Sequence, residues 1–299
     1  SVEGKASLEK VREIFQRDLG DPLGLDAYAA AAAVIRVANA KMAGAIRMVS
    51  LSLGADPRDF ALFAFGGAGP LHAAALAREL GVPRVLVPAR PGLTNALGCV
   101  VADLRHDYVR TVNQPLETAD MASLHAVLAD QAAQGEAALA RETAPIREIR
   151  RLFSADMQFM GQSHVVRVPL DGPAPSREDL RARFEAAYWE RFKVDLADIR
   201  ARVVNLNVSV IGAREPVDLS GLLAADRAAP AEPAGRRRMF FDGAWVQAPV
   251  HRRAALPTDV SLPGPAVIEQ RDSTIVIPPG DQVEGAADGN LVIHVGGAP

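Results

Sequence analysis

The 299-residue sequence has one cysteine, Cys99, and so can form neither an internal disulfide nor a zinc site built from cysteines. Cys99 sits in the apolar run 96–101, where it reads as a small buried hydrophobe. A chain without disulfides is expected in the cytoplasm. Aromatic residues make up only 5% of the chain, so the core is expected to be aliphatic, packed from Ala, Val and Leu. The net charge of −3 lacks the basic excess of a phosphate-backbone binder, and no nucleic-acid partner is expected. No long apolar run is free of polar breaks. The richest, residues 28–53, is interrupted by Arg36, Asn39, Lys41 and Arg47, which predicts a helix of a soluble protein and no membrane partner. The first twenty residues lack the continuous apolar segment of a signal peptide. There is no initiator methionine either: the chain opens on Ser1, as a fragment or a processed end would.

What is present reads as alternating elements. A short helix is predicted over 7–17, stopped at Gly20-Asp21-Pro22. A long helix follows over 26–53, with Ile35, Ala38, Met42, Ile46, Val49 and Leu53 at steps of three and four. Residues 59–65 form a nearly continuous apolar run of strand length. Gly66-Gly67-Ala68-Gly69 makes a flexible corner, and Pro70 suits the first position of a helix running to about 80. Arg84-Val85-Leu86-Val87 is a second buried strand. Strand, helix and strand with both strands apolar predict a βαβ unit in a parallel sheet covered by helices. A helix over 93–104, a strand over 108–112 and an Ala-rich helix over 116–142 follow. Residues 151–160 and 164–170 read as strands flanking the turn Gly161-Gln162-Ser163. An amphipathic helix spans 176–193, and 201–211 is a β-branched strand. Residues 218–237, rich in Ala, Pro and Asp, read as a linker. Short strands at 239–241, 266–269, 274–277 and 290–295 predict a small β-rich end, 238–299.

The glycine corner carries the most chemistry. Glycines let a backbone approach a ligand closely, and the first amides of a helix point outward without partners inside the helix. The helix dipole adds partial positive charge there, so such a corner can cradle a phosphate. Pro70 has no N–H, so the useful donors are the amides of Gly67, Ala68 and Gly69. The alternative is a tight strand-to-helix connection that holds no ligand. The corner is not a P-loop, because no lysine follows the glycines. The glycine spacing also disfavours a dinucleotide-binding domain, as does the apolar run Val85–Val87 where an acidic residue would be needed.

The passage Ala64-Phe65-Gly66-Gly67-Ala68-Gly69-Pro70-Leu71-His72-Ala73 resembles the signature of the hydantoinase A/5-oxoprolinase family, which also includes acetone carboxylase subunits. Further blocks resemble the family in order. They are Ala38-Asn39-Ala40-Lys41-Met42-Ala43, Asp56-Pro57-Arg58-Asp59-Phe60, Pro91-Gly92-Leu93-Thr94-Asn95-Ala96-Leu97-Gly98 and residues 102–108. Asp156-Met157-Gln158-Phe159-Met160-Gly161-Gln162-Ser163, Gly264-Pro265-Ala266-Val267-Ile268-Glu269, Asp272-Ser273-Thr274 and Pro278-Pro279-Gly280 complete the series. The resemblance implies an α/β fold similar to the second lobe of the actin/sugar-kinase/heat-shock-ATPase superfamily. A parallel βαβ core would be followed by a mixed α+β, largely β C-terminal region. The implied divisions are a partial nucleotide-binding lobe over 1–113, an α+β region with a long helix over 114–217, the linker, and the β-rich end. Gly66, Gly67, Ala68 and Gly69 would be the turn that contacts ATP. The family's first-lobe phosphate loop, Asp-x-Gly-Gly-Thr, is absent from these residues, so the chain is expected to hold one wall of an ATP cleft.

For the intact enzyme the resemblance implies ATP-dependent opening of a cyclic amide, with Mg²⁺ bridging the ATP phosphates. A lactam carbonyl is a poor electrophile. Phosphorylating its oxygen makes a leaving group and lets water attack the carbon. Implied partners are the N-terminal lobe of the same protein and a second, hydantoinase B-type subunit. A docking module without nucleotide, or part of a ketone carboxylase, stands as the alternative. Other polar residues have structural expectations. His72 is a helix-surface or packed histidine with a possible place near the nucleotide. His106 and Asp107, if on a strand, point to opposite faces. Asp272-Ser273-Thr274 is a turn, Gln162 and His164 are loop residues, and Phe184, Tyr188 and Phe192 are core. No catalytic residue and no metal ligand is assigned.

Overall fold

The computed structural model describes residues 7–196, 199–218 and 232–296. Most of the expected linker, residues 219–231, lies outside the described residues.

Helix α1 (Leu8–Phe15) starts at Ser7, whose hydroxyl accepts from the Lys10 amide. It runs through a π-helical turn, Gln16–Gly20, into the single turn α2 (Asp21–Leu23). The predicted stop therefore falls later, at Gly24, which ends α2 at φ 65°. Pro22, which has no N–H to donate, follows directly on the π-helical turn, where the hydrogen-bond spacing changes from the Asp21 N–H to Gln16 O bond to that of α2. Helix α3 (Ala27–Ser52) is capped by Asp26, which accepts from the Tyr28 and Ala29 amides. Then come β1 (Ala61–Phe63), α4 (Gly69–Leu80) and β2 (Arg84–Val87), with Gly81 at φ 71° closing the helix. The 3₁₀ turn Pro91–Leu93 leads into α5 (Thr94–Val101). Beyond it lie β3 (Leu104–Pro115), α6 (Met121–Leu139), β4 (Glu148–Phe159), β5 (Val166–Leu170), α7 (Arg177–Phe192) and β6 (Ala201–Ala213). The last described stretch is all strand: β7 (Gly235–Phe241), β8 (Ala244–Arg252), β9 (Ser261–Pro263), β10 (Ala266–Gln270), β11 (Ser273–Ile277), β12 (Gln282–Gly285) and β13 (Leu291–His294).

The chain divides into two compact units, Ser1–Cys99 with Asp218–Pro299, and Val100–Val217. This grouping differs from the divisions expected from the sequence, because the β-rich end joins the N-terminal unit. The physical reason is visible in the first sheet, ordered β1-β2-β13-β12-β9. Strands β1 and β2 pair in parallel, with Leu62 opposite Val85, as the βαβ pattern predicts. Two strands cannot bury a face alone. Strand β13 adds antiparallel to β2 and sets Leu291 opposite Val87 and Ile293 opposite Val85. The core behind it joins Leu76, Ala77 and Leu80 of α4 to Ile268, Ile275, Ile277 and Val283. A second sheet of this unit has the order β11-β10-β8-β7.

The parallel pair corrects one expectation. Strand β2 is buried, with Val85 and Val87 at 0% exposure, but β1 is not: Ala61 and Phe63 are exposed. Strand β1 is the outer strand of its sheet and has no neighbour on one side, so Ala61 and Phe63 stay exposed while Leu62 packs against the core.

The second unit is an antiparallel sheet, β3-β6-β4-β5, with α6 and α7 against one face. Leu124, Leu128, Phe184 and Tyr188 from the helices meet Met157, Phe159, Leu206 and Val208 from the strands. Phe184 and Tyr188 are core, as expected, and both rings lie within 5 Å, centroid to centroid, of the Phe159 ring (4.6 and 4.8 Å). A Cβ on Gly135 of α6 would fall 2.3 Å from the Val210 side chain, so glycine there sets the close approach of helix and strand.

Candidate site at the glycine corner

The corner forms where β1 runs out. Ala64 still donates to the Leu86 carbonyl at 2.8 Å, and Gly66 donates to Pro91 O at 2.7 Å. Gly66 then turns at φ 81°, a conformation that side chains disfavour. Helix α4 begins one residue before Pro70. Its N-cap is Ala68, which has no side-chain oxygen to offer the first amides. Its first turn holds no acidic residue. Among the described residues, the amides of Gly67, Ala68 and Gly69 have no backbone or side-chain acceptor. The helix therefore opens on unsatisfied donors, at the positive end of its dipole.

The carbonyls of the corner are held from behind. Ser273 Oγ lies 3.3 Å from both Gly66 O and Gly67 O, and one hydroxyl proton is shared between them. A peptide's C=O and N–H point in opposite directions, so tying these carbonyls to Ser273 aims the Gly67 and Ala68 amides away from it. Ser273 is buried and begins β11, directly after the β10–β11 turn. The same turn supplies Asp272. A Cβ on Gly92 would fall 2.3 Å from Asp272 Oδ2, so glycine alone fits beside that carboxylate. Gln270 Nε2 donates to Ala89 O at 3.0 Å. Arg253 Nη2 donates to Gly289 O at 2.8 Å and to Val87 O at 3.3 Å. Burial pushes the Arg253 guanidinium down to about 10, against the pull of Asp272. Asp272 Oδ2, Arg253 Nη1 and Gln270 Oε1 are buried without a hydrogen-bond partner among the described residues. A polar cluster thus backs the ends of β1 and β2, the edge of an α/β sheet where ligands ordinarily bind. The sequence showed Asp272 and Ser273 only as a turn. Their contact with a corner two hundred residues earlier had no local signal.

His72, in the first turns of α4, packs inward. Its Nδ1 lies 2.8 Å from Oδ1 of the buried Asn39 on α3. With the amide oxygen as acceptor, Nδ1 is the donor of this pair. His106 and Asp107 do point apart. His106 Nε2 lies 3.7 Å from Glu142, whereas Asp107 accepts from Arg105 and Ser209. They form no acid–base pair. Asp156, which opens the later family-like block, is structural. Burial pushes its carboxyl up, but hydrogen bonds from Arg167 and Asn205 outweigh that and hold it below the usual range. His164 rests against the Phe192 ring, 5.1 Å between centroids. Cys99 corrects another expectation: it is exposed, because α5 buries none of its residues.

Comparison with known proteins gives the corner its context. Residues 2–108 match the hydantoinase/oxoprolinase model, and residues 113–296 match the hydantoinase/oxoprolinase C-terminal domain model. The chain is 30% identical over 287 residues to caprolactamase subunit alpha of Pseudomonas jessenii, covering 93% of this chain and 41% of that one. It is 29% identical over 323 residues to the acetone carboxylase beta subunit of Xanthobacter autotrophicus, covering 98% of this chain and 43% of that one. The crystal structure of the ATP-dependent caprolactamase from Pseudomonas jessenii superposes with a TM-score of 0.74 at 27% identity, over 98% of this chain and 44% of that one. The chain thus spans about two fifths of the length of these relatives. Its architecture is that of an actin-like ATPase lobe with a parallel βαβ core, followed by a mixed, strand-rich C-terminal region. By both domain matches, this chain belongs to the hydantoinase/oxoprolinase family.

Proposed function

We propose that this chain is part of a larger ATP-dependent enzyme that opens a cyclic amide, and that residues 66–69 form one wall of its ATP cleft. The observation that carries this is the uncapped start of α4, where the Gly67, Ala68 and Gly69 amides have no acceptor among the described residues while Ser273 holds the carbonyls behind them. An anionic phosphate is the ligand such a corner accommodates. The kinship with an ATP-dependent caprolactamase supports ATP as the source of that anion and favours a lactam as the substrate. In this chain the corner binds and orients nucleotide. The γ-phosphoryl group of ATP would pass to the lactam oxygen with release of ADP; water would then add to the activated carbon, the ring C–N bond would break with the nitrogen taking a proton, and phosphate would leave. Among the described residues no cluster of three or more His, Cys, Asp or Glu side chains gathers, and Mg²⁺ would enter with the ATP phosphates that it bridges. A hydantoinase B-type second subunit and a cytoplasmic location complete the proposal.

Ketone carboxylation is the second reading, favoured by the 29% identity to an acetone carboxylase subunit. The discriminating assay supplies ATP with a lactam, or with a ketone and bicarbonate, to the longer enzyme and its second subunit. The proposal expects a ring-opened amino acid with the lactam. Turnover of the ketone alone would contradict it. Calorimetric titration with ATP tests the corner itself. Binding is expected in the longer polypeptide and much weaker in the 299-residue chain.

A further inference from the structure

Strand β1 ends its sheet, yet it is apolar where an end strand of a soluble protein is normally charged or covered. Ala64 gives its N–H to Leu86 of β2. Alternate residues of an extended chain address alternate sides, so Phe63, the last residue of β1, and Phe65, two residues beyond it, present their main-chain groups to the free edge. Their rings stack with centroids 5.4 Å apart, and Phe60 beside them is 57% exposed. Helix α3 repeats the pattern. It buries only Ala27, Ala30, Asn39 and Ala43, and leaves Val34, Val37, Met48 and Leu51, on the side away from Asn39 and Ala43, exposed. It does so although it is anchored on its inner side, through Asn39 to His72 and through Arg47 Nη2 to Glu79 O at 2.7 Å.

We propose that the free edge of β1, with the outward side of α3, is the seat for the remainder of a longer polypeptide, which adds a strand to β1. This rests on the reading above that the chain is part of a larger protein. The length supports it: the matched caprolactamase chain is covered over only 44%, so more than half of that protein has no counterpart here. The chemistry selects the occupant. A row of main-chain N–H and C=O groups that have no partner among the described residues, flanked by phenylalanines, is satisfied by strand addition, which pairs both. A membrane is a poor occupant, although α3 is long and apolar enough to cross one by length and composition. Lipid cannot pair the edge of β1, and Arg36, Lys41 and Arg47 lie along the helix.

Residue-resolved hydrogen exchange tests this in the longer polypeptide that contains these residues, without nucleotide. The Phe63 and Phe65 amides are expected to exchange at least ~100-fold more slowly than an unstructured chain. In the 299-residue chain they are expected to exchange near the unstructured rate. Free exchange of both amides in the longer polypeptide would overturn the proposal, and so would protection in the 299-residue chain that depends on dimer formation or on added vesicles. The readout is independent of ATP. Protected amides with no nucleotide binding would leave the seat standing and remove the nucleotide reading, and the converse pattern would do the reverse.

Discussion

Ser273 Oγ stands 3.3 Å from Gly67 O, joining the first turn of a C-terminal hairpin to a loop 206 residues earlier. The contact makes the glycine corner a composite of two distant segments. It also orients the corner, since the carbonyl that faces Ser273 forces the next amide outward.

The Ser273→Ala variant should therefore loosen the corner without unfolding the unit. A lost hydrogen bond of this kind is worth about 1 kcal/mol. In the longer enzyme ATP affinity should fall by about fivefold to tenfold, the equivalent of that energy. Ser273→Thr, which keeps the hydroxyl, should recover most of it. Calorimetry on the three proteins checks the ranking. Equal affinity for all three would remove Ser273 from any positioning role.

Arg78 on α4 donates to Asp281 Oδ1 at 2.6 Å, and the Asp281 side chain is fully buried while Arg78 is partly exposed. The Asp281 carboxylate also accepts from the Gly296 amide at 2.9 Å. Replacing Arg78 by Met leaves a buried carboxylate without its cation. Removing one partner of a buried pair costs ~3–5 kcal/mol, and solvent screening at the exposed arginine reduces this to about 1–2 kcal/mol. Asp281→Asn in the same background should restore part of the loss. Denaturant unfolding of the two single variants and the double variant measures the coupling; additive effects would show that the pair is not coupled.

Two buried carboxylates should give opposite pH responses. Hydrogen bonds hold Asp156 below its ordinary range despite burial. Its stabilisation is present above the unfolded value, about 3.9, and is lost as pH falls through the lower folded value. Burial pushes Asp281 up, against Arg78. Between about 3.9 and its raised value the folded state binds the extra proton, so this group favours folding as pH falls through that window. Unfolding of Asp156→Asn should lose acid sensitivity relative to the parent, and unfolding of Asp281→Asn should gain it. Parallel pH profiles for both variants would refute the assignment.

Much of this was legible locally. The four-step aromatics of α7, the apolar spacing of α3 and the strand–glycine–proline order around residue 66 each carry their structure in a short window. The α5 register did not, and Cys99 came out exposed. What the sequence hid was pairing at a distance. Residues 291–294 look like any short apolar strand, and nothing near them indicates that they pair with residues 84–87. Likewise the apolar run of β1 suggested burial, because a strand's pattern records its chemistry and not whether a neighbour is present. Strand β8 was missed because its sequence, Ala244-Trp245-Val246-Gln247-Ala248-Pro249-Val250, includes a proline that weakens a strand prediction.

The central claim is that the Gly66–Gly69 corner holds nucleotide. A Cβ on Gly67 would sit in ordinary contact with Asp272 O, at 3.4 Å, so the added bulk of a valine falls at the amides and not on a buried core. Calorimetric titration of the longer polypeptide with ATP, for the parent and for Gly67→Val, tests the claim directly when circular dichroism shows both folded. The account predicts a measurable Kd for the parent and its loss in the variant. Unchanged affinity in a folded Gly67→Val protein would contradict it.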